Sequence, residues 1–112
     1  MKNTIINKSD KKEFENLSSN WTIGKNYHLD IFPNHEILIR EYLFDSDEDT
    51  NQFVSTVLNI AKNENHHPLL IAEWHKVILS WSSHEKKEIT DLDYKMAIMS
   101  DEIYQSMQKK DK

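Results

Sequence analysis

Apolar and polar positions change period several times along the chain, and each change marks an element. Near the start Phe14 and Leu17 lie three apart behind Ser9, a residue type that caps helices, so a short first helix is predicted there. From Trp21 the period drops to two. Tyr27, Leu29 and Ile31 alternate with Asn26, His28 and Asp30, Pro33-Asn34-His35 interrupts, and an apolar-rich run from Ile37 to Phe44 follows. This is the pattern of a β-hairpin with Pro33 in its turn. In its second strand Ile37, Ile39 and Leu43 point one way, while Leu38, Tyr42 and Phe44 point the other. A strand apolar on both faces needs cover on both. For so small a chain the expectation is helices over one face and a second copy of the protein over the other, here the face of Leu38, Tyr42 and Phe44.

Four acids in Asp45-Ser46-Asp47-Glu48-Asp49 precede Phe53, Val54, Val57, Leu58 and Ala61, whose spacing predicts an amphipathic helix. The acids read as caps opposing the positive end of that helix. A calcium loop is the sharper reading, but its 12-residue pattern with a central glycine is absent. Two more strands follow, Leu69 to Trp74 and Val77 to Ser82, with Trp74 and Trp81 assigned to packing. Thr90, with Asp93 three residues on, opens the last helix as a capping box, and Leu92, Met96, Met99, Ile103 and Met107 form its apolar stripe. The order α-β-β-α-β-β-α predicts an α+β fold built on a four-stranded antiparallel sheet.

Composition narrows what such a fold can do. At 112 residues there is room for one domain, taken as 1–112, and 38% hydrophobic with 29% charged residues describes a polar globular protein. Cysteine is absent, which removes thiolate nucleophiles, iron–sulfur clusters and thiolate zinc sites. Gly24 is the single glycine, so a glycine-rich phosphate loop cannot be written. A net charge of −5 argues against direct nucleic-acid binding. No apolar run approaches the roughly 18 residues of a membrane span and no signal-peptide stretch opens the chain, so a soluble cytoplasmic protein is expected.

Chemistry concentrates at two places. Glu64-Asn65-His66-His67-Pro68 joins the second helix to the third strand, and Ser83-His84 ends the fourth. A lone histidine is usually a surface or satisfied residue, and His28, His35 and His75 are read that way. Pro68 changes the weighing for its neighbours, because it biases His67 toward an extended conformation and so defines the loop. Adjacent histidines on extended chain point apart, and neither HExxH nor HxH spacing is present, so a metal site is not expected.

These residues also carry a resemblance. Asn65-His66-His67-Pro68, then Trp74, Lys76-Val77, Ser83-His84, and Asp93 leading into a helix with Ala97, resemble the signature of the pterin-4a-carbinolamine dehydratase family. Leu38-Ile39-Arg40-Glu41-Tyr42-Leu43-Phe44 and Phe53-Val54 are similar to that family's strand and following helix. Members are also known as dimerisation cofactors of a homeodomain regulator. The resemblance implies a sheet carrying three helices on one face, homodimers or homotetramers, a protein partner in some members, and no metal or organic cofactor. Its implied reaction is loss of water from a 4a-hydroxytetrahydropterin to give quinonoid dihydropterin, which a reductase recycles.

Such a reaction needs one group to protonate the leaving hydroxyl and another to take a proton from the neighbouring ring nitrogen, and imidazole with a pKa near ~6.5 suits both. By resemblance His66 and His84 are the acid/base pair, in either order, and His67 orients substrate or stabilises charge. Asp93 is implied to hold an imidazole's tautomer or bind the pterin, with a purely structural helix cap as its competing reading. Asn65 joins the implied substrate contacts, as does Trp21, whose competing reading is core burial. Lys62 stands where the family usually has an acid, Ser83 for its Thr, Glu88-Ile89 for its Gly-Leu, and Leu92 for a frequent Arg. Those departures keep a second reading open, a non-catalytic dimerisation module.

Overall fold

In a computed structural model the described residues are 12, 14, 15, 20–25, 36–83 and 88–110. Four strands form one sheet: β1 (Thr22–Lys25), β2 (Glu36–Leu43), β3 (Leu69–Glu73) and β4 (Lys76–Trp81). Two helices accompany them, α1 (Asp47–Glu64) and α2 (Asp91–Lys110). The sheet runs β1-β2-β4-β3 with every neighbouring pair antiparallel. The α+β class and the antiparallel sheet are therefore as expected. The predicted three helices are not: two are seen among the described residues. Most of the predicted first helix, Ser9 and Leu17 included, lies outside them, although Lys12, Phe14 and Glu15 have helical backbone and Phe14 is buried. The alternating residues Tyr27, Leu29 and Ile31 and the turn at Pro33 also lie outside the described residues, and β1 occupies the stretch before them.

The register decides which face each side chain takes. Leu38 pairs with Trp81, Arg40 with Leu79 and Tyr42 with Val77, so these six share a face, and all but Arg40 are buried with Phe53, Val57 and Ala61 of α1 and Met96 and Ala97 of α2. Leu38, Tyr42 and Phe44 thus lie under the helices. The expectation had them on the opposite face, because alternation separates two faces without saying which one the helices choose. On the far side Ile37, Ile39 and Ile78 form a second, smaller cluster with Ile71 against it.

Helix boundaries follow local chemistry. Ser46, not one of the acids, is the N-cap of α1: its hydroxyl accepts from the Asp49 N–H at 3.1 Å, while Asp47, Glu48 and Asp49 fill the first turn, where negative charge opposes the helix dipole. Thr50, Phe53, Val57 and Ala61 are the buried stripe. Leu58 is exposed, since it sits one residue, about 100° of helical turn, from Val57. α1 stops at Asn65, which adopts a left-handed conformation (φ 54°, ψ 43°). There the Asn65 N–H bonds Lys62 O at 3.2 Å and the His66 N–H bonds Ala61 O at 3.0 Å, the two bonds of a Schellman ending. No helix of the described residues is long and apolar enough to cross a membrane.

Candidate functional site

Three chain segments converge on Asp93. It occupies the third position of α2 and is fully buried. One carboxylate oxygen, Oδ2, accepts the Thr90 N–H at 2.9 Å, the reach-back bond of a capping box. The same oxygen accepts the Ser83 hydroxyl at 2.9 Å and the Thr90 hydroxyl at 3.2 Å. The two hydroxyls are themselves 2.9 Å apart. With Ser83 donating to Asp93, the single Thr90 proton is shared between the carboxylate and the Ser83 oxygen. The other oxygen, Oδ1, lies 2.6 Å from Nε2 of His66. Asp93 is thus both helix cap and histidine partner, two roles that sequence reasoning had set against each other.

His66 reaches this carboxylate because the Schellman ending at Asn65 reverses the chain off α1. A carboxylate accepts and does not donate, so the 2.6 Å contact places a hydrogen on Nε2 and leaves Nδ1 as the bare nitrogen of the neutral ring. The far flank of the ring lies against Trp81, whose indole is parallel to the imidazole within 12° at a centroid separation of 5.9 Å. His66 is consequently mostly enclosed, with 14% of its side chain exposed.

The remaining expected residues are placed differently. His67 and Asn65 are exposed beside His66, so the Asn65 backbone has a clear part in shaping the loop. His84 lies outside the described residues, but its neighbour Ser83 already hydrogen-bonds Asp93. Trp21 is not among the groups brought to His66. It is buried, with Nε1–H donating to Asp101 Oδ2 at 2.9 Å and its ring edge-on to Phe14 and Tyr42. Asp101 follows Asp93 by eight residues, about 12 Å along the helix. Among the described residues, no group of three or more His, Asp or Glu side chains has the arrangement to hold a metal ion.

Asp101 was not singled out from the sequence, yet it organises a second polar centre. Its Oδ1 accepts from Arg40 Nη1 at 2.7 Å and from the Tyr42 hydroxyl at 2.6 Å. The Arg40 guanidinium also lies over the Tyr42 ring at 4.3 Å and the Tyr104 ring at 5.3 Å. Burial and the adjoining carboxylate push the Tyr42 phenol well above its ordinary value. The one available signal was the spacing of Asp93 and Asp101, eight apart and so on one side of a helix otherwise stocked with apolar residues.

A family model described as pterin 4 alpha carbinolamine dehydratase matches residues 6–103. The chain belongs to the pterin-4-alpha-carbinolamine dehydratase family. Relatives each named "Putative pterin-4-alpha-carbinolamine dehydratase" occur in Chlorobium luteolum, 33% identical over 70 residues, and in Saccharophagus degradans, 35% identical over 68. The matched segments make up 62% and 61% of this chain, and they span 61% and 60% of the relatives' own lengths. A crystal structure of a transcriptional coactivator/pterin dehydratase from Brucella melitensis superposes with a TM-score of 0.68 at 21% identity, covering 88% of this chain and 97% of that one. That likeness shows the fold.

Proposed function

We propose that the protein dehydrates a 4a-hydroxytetrahydropterin to quinonoid dihydropterin by histidine acid/base catalysis, as a step in tetrahydrobiopterin recycling. The observation that carries this reading is the buried Asp93 carboxylate 2.6 Å from His66 Nε2. A carboxylate there fixes the tautomer that offers the opposite nitrogen to substrate. His66 then takes the proton from the pterin ring nitrogen next to the hydroxyl-bearing carbon. His84 delivers a proton to the hydroxyl, which departs as water as the carbon–nitrogen bond becomes double. One proton is taken and one given, and no electron is transferred, so the step balances without a cofactor. The exposed His67 orients substrate, and Asn65 lies at the same loop for contact with the pterin.

A non-catalytic module would use Asp93 Oδ2 as the cap of α2, but it gives no role to the 2.6 Å contact of Oδ1 with His66. We also read the protein as a cytoplasmic homo-oligomer of one domain. The test of activity is direct. Purified protein mixed with chemically generated carbinolamine should accelerate loss of its ultraviolet absorbance, and a rate no higher than buffer overturns the proposal.

A further inference from the structure

Trp81 is the fully buried last residue of β4, and its indole is fixed at both its edge and its face. At the edge, Nε1–H donates to the Ser100 hydroxyl at 3.3 Å, and that hydroxyl spends its own proton on Met96 O at 2.8 Å. Donor and acceptor roles are therefore consistent along the chain from indole to Ser100 to helix backbone. At the face lies the His66 imidazole, parallel within 12°. A single hydrogen bond at Nε2 leaves an imidazole free to pivot about that contact. A flat ring against its face removes this freedom.

We propose that Trp81, anchored by Ser100, is a positioning residue that acts through His66: Asp93 fixes which nitrogen carries the hydrogen, and the Trp81 face fixes the plane in which the other nitrogen is presented. The inference rests on the reading of His66 as the base, but the geometry it concerns exists with or without turnover. Strand parity supports the arrangement. Trp81 lies on the helix-facing side of β4, opposite Leu38, and Ser83, two residues on, reaches the same Asp93. One strand end thus supplies both the plate behind the imidazole and a donor to its carboxylate.

The test combines ring spectroscopy with kinetics in Trp81→Leu, Trp81→Phe and Ser100→Ala. In wild type the 15N shifts of the His66 ring should report one neutral tautomer, with hydrogen on Nε2. Trp81→Leu lets the ring swing out of line with Asp93 and so loosens the Nε2–H bond that sets the tautomer; it should move the shifts toward an average of tautomers and lower kcat about tenfold with KM little changed, the signature of a misplaced group rather than lost binding. Trp81→Phe, which keeps a flat ring, should restore most of both. If Trp81→Leu does not fold, Ser100→Ala decides, because it releases the indole with a minimal change of volume. Unchanged His66 shifts in the decisive variant overturn the inference. An inactive wild type with tautomer-averaged His66 shifts in Trp81→Leu overturns the dehydratase reading and leaves the positioning role standing.

Discussion

Asp93 offers two oxygens, and both are engaged: Oδ2 by three donors and Oδ1 by His66. Such a residue tolerates little change of charge pattern. Asp93→Asn keeps the shape but puts an amide able to donate against Nε2, which favours the tautomer with hydrogen on Nδ1. We expect kcat to fall by about 10²–10⁴-fold with the fold retained, as when a histidine is held in the wrong tautomer. Circular dichroism alongside steady-state kinetics checks this, and an active, folded Asp93→Asn would disprove the tautomer argument. Asp101 behaves otherwise. Its loss strands the Arg40 charge and two buried donors, Trp21 Nε1–H and the Tyr42 hydroxyl. Asp101→Ala should therefore cost about 3–5 kcal/mol of stability, measured by urea unfolding. These two acids, eight positions apart, were unequally legible in sequence: Asp93 followed a capping threonine, whereas nothing local marks Asp101, whose partners lie 59 to 80 residues away.

At the scale of elements, periodicity served best where a single face is buried. The stripe through Phe53, Val57 and Ala61 and that through Met96 and Met107 are both in the core. β2 was harder, because it is apolar on both faces and its sequence does not say which face meets α1 and α2. The caps show a finer limit. The acids before α1 were expected to cap it, and Ser46 does so because its short hydroxyl returns to the Asp49 N–H. Ser46→Ala should cost about 1 kcal/mol in a thermal or urea melt. The Asp47 contact with His75 Nε2, 3.1 Å but with Asp47 74% exposed, should contribute almost nothing, so Asp47→Asn should cost only what one first-turn charge gains from the helix dipole, at most about 1 kcal/mol in the same melt.

For the whole molecule, pH dependence at the alkaline end follows from Tyr42. Its folded-state value lies above the unfolded one near 10, raised first by burial and then by Asp101. Below about pH 10 the phenol is neutral in both states and its contribution is complete; above that the unfolded chain sheds the proton first and stability falls. Urea midpoints should therefore decline from about pH 10 upward. Tyr94 is shifted the same way, by burial and then nearby carboxylates, so Tyr42→Phe should flatten this decline without abolishing it. A slope unchanged by Tyr42→Phe would contradict the buried-phenol account.

A sheet and two helices together bring a buried carboxylate to one imidazole, and the proposed role of that imidazole is to move a proton on a pterin. The most direct measurement is carbinolamine dehydration by wild type and by His66→Ala under identical conditions, with the fold of both checked by circular dichroism. The account predicts a wild-type rate well above buffer and a loss of about 10²–10⁴-fold in kcat for His66→Ala. A folded His66→Ala that turns over carbinolamine at the wild-type rate would contradict it.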